Sequence, residues 1–140
     1  MRLSEPKGMS ILDLRRKADA RLQELRGNKD LRELGFGSPE WRDKREKFVR
    51  FHNRNPHVYH LFDKYAMEAF LAGNKKFSHW LIMNRIRWDS LVKTDGAKYK
   101  IPNEHIAFYA RLWMKRTPSV GKFLGHDFFT LKKMKGEPGE

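Results

Sequence analysis

The chain has no cysteine and no long apolar run. The absence of thiols excludes disulfides, thiolate zinc sites, iron–sulfur clusters and cysteine nucleophiles. No stretch approaches the ~18 consecutive apolar residues of a membrane helix, and the first residues lack the apolar core of a signal peptide. We therefore expect a cytoplasmic protein that makes no membrane contact.

Acidic residues are scarce beside basic ones. The 140 residues include 30 Lys and Arg against 17 Asp and Glu, a formal charge of +13. The basic excess is present throughout, in segments 1–35, 36–55, 56–95 and 96–140. Because a field of one sign attracts polyanions, the charge favours nucleic acid as the partner. Charge alone does not separate DNA from RNA, and DNA is the partner that we expect. An acidic protein partner and a merely soluble surface are the alternatives.

Patterns that carry catalysis or metal binding are weak. His52, His57 and His60 lie near Asp63, which superficially resembles a histidine nuclease or a zinc site. However, His57 and His60 share a predicted helix, whereas such a nuclease needs its histidines on a hairpin and the helix after it. No glycine-rich phosphate loop or nucleophilic serine signature is present. We predict a binding protein rather than an enzyme, without metal or cofactor.

Helix start and stop signals divide the chain. A capping box at Ser10 opens a predicted helix over 11–25, which a glycine ends, and a weaker helical piece covers 30–34. Ser38 before Pro39, and Asn55 before Pro56, predict two further helix starts. The predicted organisation is an N-terminal helical arm over 1–37, a basic body over 38–131 and a mobile tail over 132–140. Residues 10–34 are also candidates for a homodimer interface.

The body continues with a helix, a hairpin and a second helix. Ser78 caps a helix over 78–90, and Asp95-Gly96 predicts a hairpin with strands over 91–94 and 97–101. The inner face of the helix over 78–90 is predicted to contain Leu81, Ile82, Ile86 and Trp88. A helix capped by Asn103 follows, with an outer face of His105, Phe108, Arg111 and Lys115. After Pro118 come a short turn to Leu124 and an edge strand over 128–131.

This element order is typical of a winged helix-turn-helix. We predict a mainly α fold with one small β-hairpin, in which the helix over 78–90 enters the major groove and the hairpin lies along the DNA backbone. A non-winged helical domain, or a reading helix at 103–116, are the alternatives. The predicted nucleic-acid-binding residues are Lys75, Lys76, His79, Asn84, Arg85, Arg87, Lys98, Lys100, His105, Arg111 and Lys115.

Four short segments form a distinctive pattern: Asn55-Pro56-His57-Val58-Tyr59, Ile86-Arg87-Trp88, Tyr99-Lys100-Ile101-Pro102-Asn103 and Tyr109-Ala110-Arg111-Leu112. The pattern resembles that of a family of small proteins encoded by tailed bacteriophages and prophages. The resemblance spans roughly residues 47–125, and this chain has Ile101-Pro102-Asn103 where the family has several asparagines. The motifs carry no assigned chemistry, so the resemblance implies no catalytic residue. It implies a phage or prophage origin and the cytoplasm of a bacterial host.

Two functions fit such a setting. The first is binding of nucleic acid, double-stranded DNA in particular, by a phage regulatory or accessory protein. The alternative is an inhibitor or adaptor that docks on an acidic host enzyme or defence complex. An exposed apolar patch would favour the alternative, and its candidate members are Phe36, Phe108, Phe128 and Phe129.

Overall fold

The computed structural model describes residues 16–18, 29–31, 33–34, 37–92 and 100–137, and these are mainly helical. They contain no β-strand, only an isolated parallel bridge between Phe77 and Phe129. The predicted mainly α class is therefore confirmed. A 3₁₀ turn at Lys29–Leu31 precedes five α-helices: α1 (Pro39–Arg54), α2 (Pro56–Leu71), α3 (His79–Val92), α4 (Asn103–Arg116) and α5 (Pro118–Leu124).

The helix starts follow local capping chemistry. The Ser38 hydroxyl accepts a hydrogen bond from the Trp41 amide, and the Ser78 hydroxyl accepts one from the Leu81 amide, both at 3.2 Å. Proline occupies the first turn of α1 and of α2, where its missing N–H costs nothing. These starts are confirmed. The cap of α4 is Pro102 rather than Asn103, whose side chain instead accepts a hydrogen bond from Arg87.

The core is built around α4, which contacts the other four helices and the 3₁₀ turn. Its Phe108 ring lies 4.8 Å from Trp41 and 5.3 Å from Phe48, and Tyr109 meets Phe48 edge-on. The sequence prediction placed His105 and Phe108 on an outer face, which is wrong: both are buried because α1 packs against that side. These ring contacts therefore hold α1 against α4.

The predicted hairpin differs from the structure where the two can be compared. Helix α3 continues to Val92, so the first half of the predicted strand 91–94 is helical. Asp95, Gly96 and the rest of 93–99 lie outside the described residues, and Ile101 is buried in an irregular segment. The winged arrangement is not confirmed. The predicted edge strand over 128–131 reduces to the Phe77–Phe129 bridge, in which the Phe77 amide donates to the Phe128 carbonyl.

The segments flanking the body also make contacts. Residues 16–18 of the predicted arm are helical, and the rest of 11–25 lies outside the described residues. In the predicted tail, the Gly136 carbonyl accepts a hydrogen bond from the Ser38 amide at 2.9 Å. A Cβ on Gly136 would lie 2.1 Å from the Ser38 hydroxyl oxygen, so only glycine allows this approach. Residues 134–137 therefore pack on the start of α1.

A buried ion pair ties the 3₁₀ turn to the end of α4. The Arg116 guanidinium donates to both Asp30 carboxylate oxygens, at 2.7 and 3.2 Å, and Asp30 has no exposed surface. This two-point geometry compensates the removal of both charges from water. Each member of the pair depends on the other.

Arg116→Ala should therefore lower the free energy of unfolding by about 3–5 kcal/mol, because it leaves a buried carboxylate unpaired. Lys115→Ala is the matched control, since Lys115 lies on the same helix and approaches Glu33 only at 4.0 Å across an exposed surface. Its loss should cost at most about 1 kcal/mol. Denaturant unfolding of both variants measures the difference, and equal costs would contradict this account.

Candidate interaction surface

Helix α3 turns two indoles toward solvent. Trp80 is 45% exposed and Trp88 62% exposed, and with Asn84 they form a stripe at i, i+4 and i+8. Leu81, 57% exposed, lies beside this stripe. We call Trp80, Asn84 and Trp88 the α3 stripe. The predicted inner positions of Leu81 and Trp88 are wrong, because the buried apolar side chains of α3 are Ile82, Met83 and Ile86.

A hydrogen bond from α2 explains this orientation. The Tyr65 hydroxyl donates to the Asp89 carboxylate, and Asp89 is only 7% exposed. The bond raises the pKa of Tyr65, since loss of its proton would place two negative charges side by side. Arg85 lies 3.6 Å from Asp89 as well. A partnered Asp89 can face the core, and the opposite side of α3 then faces solvent.

The two arginines predicted on α3 as nucleic-acid-binding residues are already engaged within the fold. The Arg85 guanidinium lies 4.6 Å from the Tyr65 ring centroid in addition to its contact with Asp89. Arg87 donates to the Ile101 carbonyl at 2.5 Å and to the Asn103 side chain at 2.7 Å. Arg87 therefore holds the segment before α4 against α3.

Exposed lysines lie near both ends of the helix. Lys75 and Lys76 lie in the turn just before α3, and Lys100 adjoins Ile101, which Arg87 binds. None of these three lysines forms an ion pair with an acid among the residues the structure describes. The remaining predicted hairpin cation, Lys98, is outside those residues. Three exposed lysines near α3 are thus not neutralised by an acid within the described part of the chain.

The predicted site residues on α4 are not available in the same way. His105 is buried between the rings of Phe48 and Phe51, and this burial lowers its pKa. Arg111 forms two hydrogen bonds to Glu137, at 2.8 and 2.7 Å. Lys115 is exposed and lies near Glu33. The structure brings these residues together with the C-terminal segment and the core rather than with α3.

His79 occupies an intermediate position at the start of α3. Its ring lies 6.1 Å from the Phe129 ring, and burial lowers its pKa, with a further contribution from the charge of Arg111. A neutral imidazole that meets a buried phenyl ring edge to face is suited to packing. It offers little attraction to a phosphate at neutral pH.

Other exposed cations are spread over several elements. Lys47, Arg50 and Arg54 form a stripe on the outer side of α1, and Lys47 is paired with Asp43 at 3.3 Å. Lys122 on α5 and the lysines of 132–135 are also exposed. The positive surface therefore extends beyond α3.

An apolar groove opens between α2 and α3, on the Leu81 side of α3. Its volume is about 430 Å³, and it is lined by Tyr65, Glu68, Ala69, Phe77, Leu81 and Arg85 among others. An apolar depression is therefore present at the surface, but its residues are not the four phenylalanines considered as members of an exposed patch. Phe108, Phe128 and Phe129 are buried, and Phe36 lies outside the described residues.

The histidines considered as metal ligands do not converge. His52 is buried, whereas His57 and His60 are exposed on α2. Within the described residues, no group of three or more His, Asp or Glu side chains is placed to hold a metal ion. Nor does any helix of that part of the chain combine the length and apolarity needed to cross a membrane.

Comparisons with known proteins give no match: no protein-family model, no curated protein and no solved structure resembles the chain significantly. The candidate surface therefore rests on its geometry. Sequence reasoning identified Lys75, Lys76, Asn84 and Lys100 but missed Trp80 and Trp88. The sequence contained one signal for the exposed indoles. Helix α3 has apolar residues on every side, whereas a helix that buries a single face needs them on that face only.

His52 makes stability depend on pH. Burial lowers its pKa to about 4, and the positive charge of Arg116 adds to the effect. Between pH 6.5 and 4 the unfolded chain binds a proton that the folded chain does not, so stability falls as the pH falls through this window. The loss attributable to His52 should reach about 3 kcal/mol.

Urea unfolding at pH 7 and pH 4 tests this. His52→Leu should reduce the pH dependence by that amount, whereas His57→Leu, at an exposed position on α2, should retain it. An unchanged pH dependence in His52→Leu would show that other groups are responsible.

Proposed function

We propose that this protein binds nucleic acid through the surface around α3. The observation that supports the proposal most strongly is the presence of exposed lysines next to α3. Lys75 and Lys76 precede this helix in the chain, and Lys100 follows it. Between them Asn84 offers an amide that can donate to and accept from base edges. Phosphate contacts at two ends and a polar contact between them provide both affinity and register.

The distribution of acids supports the same function. Asp30, Asp63, Asp89 and Glu137 all accept contacts from basic side chains within the fold. The acids therefore neutralise internal arginines, and much of the +13 excess is left on exposed lysines and arginines. A cationic exterior of this kind lowers the free energy of a complex with a polyanion by releasing its counterions.

The proposal includes a more specific biological role and a more specific DNA-binding fold. The motif resemblance supports a phage regulatory or accessory role in a bacterial cytoplasm. A winged helix-turn-helix would place Lys98 and Lys100 on the backbone of duplex DNA while α3 approaches a groove. Under this proposal α3, rather than the buried α4, is the recognition helix.

Lys75→Ala/Lys76→Ala should weaken binding to duplex DNA of any sequence, because two phosphate contacts are lost. The slope of log K against log salt concentration should become shallower by about 1.8, since each contact contributes about 0.9. Fluorescence anisotropy over a salt series measures this slope.

Lys115→Ala, which removes an exposed lysine far along α4, is the matched control and should leave the slope unchanged. An unchanged slope in the double variant would remove these lysines from the interface. Absence of binding by the natural protein at low salt would defeat the proposal as a whole.

The groove between α2 and α3 favours a second candidate function, docking on an acidic protein. Leu81, Ala69 and Phe77 give the groove an apolar wall, which an apolar side chain of a partner could fill. Aromatic and arginine side chains at an apolar depression are typical of protein interfaces. In a phage setting the partner would be a host enzyme or defence complex.

Affinity capture from nuclease-treated host extract tests this candidate. Leu81→Lys should abolish recovery of an acidic protein, because it places a charge in the groove. Phe123→Lys is the control, since Phe123 is an exposed aromatic on α5 away from the groove residues. Equal recovery by the two variants would exclude the groove as the docking site.

A further inference from the structure

We propose that Trp80 and Trp88 form a stacking platform for unpaired bases, so that α3 binds single-stranded nucleic acid as well as duplex. This inference rests on the proposed function and specifies its substrate class. It starts from the unusual exposure of two indoles, 45% and 62%, on one side of one helix. Two exposed indoles on one side of one helix indicate a binding surface more than a single exposed apolar residue does.

The exposure of the indoles is a consequence of how α3 is anchored. Ile82, Met83 and Ile86 fill the core side, and Asp89 is held there by Tyr65. Rotating α3 to bury Trp88 would therefore expose Ile86 and break the Tyr65–Asp89 hydrogen bond. The fold keeps Trp80 and Trp88 at the surface by a specific contact on the opposite side of the helix.

The spacing of the stripe suits more than one base. Eight residues separate the two indoles, a rise of about 12 Å along the helix, and Asn84 lies midway at about 6 Å from each. An indole offers its flat face to any base, whereas the amide between the indoles can reach a base edge. In a duplex the base faces are covered by their neighbours, so only an unpaired strand can use this surface.

The electrostatics of α3 favour a nucleic-acid strand over an acidic protein at the stripe. Lys75, Lys76 and Lys100 flank it, and the acid of α3, Asp89, is buried and paired. The exposed Glu68 lines the groove on the Leu81 side. A phosphate backbone that follows the stripe therefore meets lysines at either end and no exposed acid of α3 between them.

The test compares a single-stranded oligonucleotide with the duplex of the same sequence. Trp80→Ala and Trp88→Ala should each lower single-strand affinity about 5- to 150-fold, the range for loss of one stacked base. Duplex affinity and its salt slope should change little, because the lysines are untouched. Phe123→Ala, which removes an exposed aromatic on α5, should change neither affinity.

Intrinsic fluorescence provides a readout that a structural role would not move. Single strands should quench the tryptophan emission of the natural protein, and Trp80→Phe/Trp88→Phe should lose this quenching while keeping part of the affinity. Phenylalanine retains a ring that stacks, so the conservative variant separates stacking from a general loss of apolar surface.

Three outcomes would overturn the inference. Equal loss of single-strand and duplex affinity in the alanine variants would show that the indoles do not read unpaired bases. Unchanged single-strand affinity would remove the platform and leave nucleic-acid binding itself intact. Displacement of the oligonucleotide by an acidic host protein, abolished in Trp88→Ala, would assign the stripe to a protein. Absence of any nucleic-acid binding, by contrast, is the failure of the proposed function.

Discussion

The hydrogen bond between Tyr65 and Asp89 determines which side of α3 the protein presents. A carboxylate is costly to bury alone, but a hydroxyl from α2 and a guanidinium one turn earlier on α3 make burial possible. Once Asp89 faces inward, the 3.6-residue period of the helix places Trp80, Asn84 and Trp88 outward. The candidate surface therefore follows from the burial of Ile82, Met83 and Ile86 together with the one buried polar contact at Asp89.

Four acids of this basic protein, Asp30, Asp63, Asp89 and Glu137, act as partners of arginines within the fold. Asp63 accepts from both the Trp113 indole and Arg16, and Asp30 holds Arg116. Acidic side chains that stabilise the fold in this way do little to weaken the external field, because each already cancels a nearby arginine. A net charge of +13 therefore acts largely at the exterior, where it can attract a polyanion over a Debye length.

Local chemistry was readable from the sequence, and long-range packing was not. Serine caps and first-turn prolines predicted the starts of α1, α2 and α3, since those signals act within three or four residues. The buried and exposed faces of α3 and α4 were predicted wrongly where a residue distant in the sequence determines which side is buried. Asp89 lies 24 residues from Tyr65, and Phe108 is buried by α1, which precedes it by about fifty residues. The exposed lysines were predicted correctly because a charged side chain almost always lies at the surface, whereas a tryptophan side chain can be either buried or exposed.

The contact of Gly136 with Ser38 brings the two ends of the helical body together. The backbone from α1 to the C-terminal segment consequently begins and ends at neighbouring points, so that a short peptide could join residue 137 to residue 37, provided that Asp30 is still supplied as the partner of the buried Arg116. A circularly permuted chain of this body would keep α4 at its centre. Its new termini could be placed far from α3, leaving that helix free for a ligand.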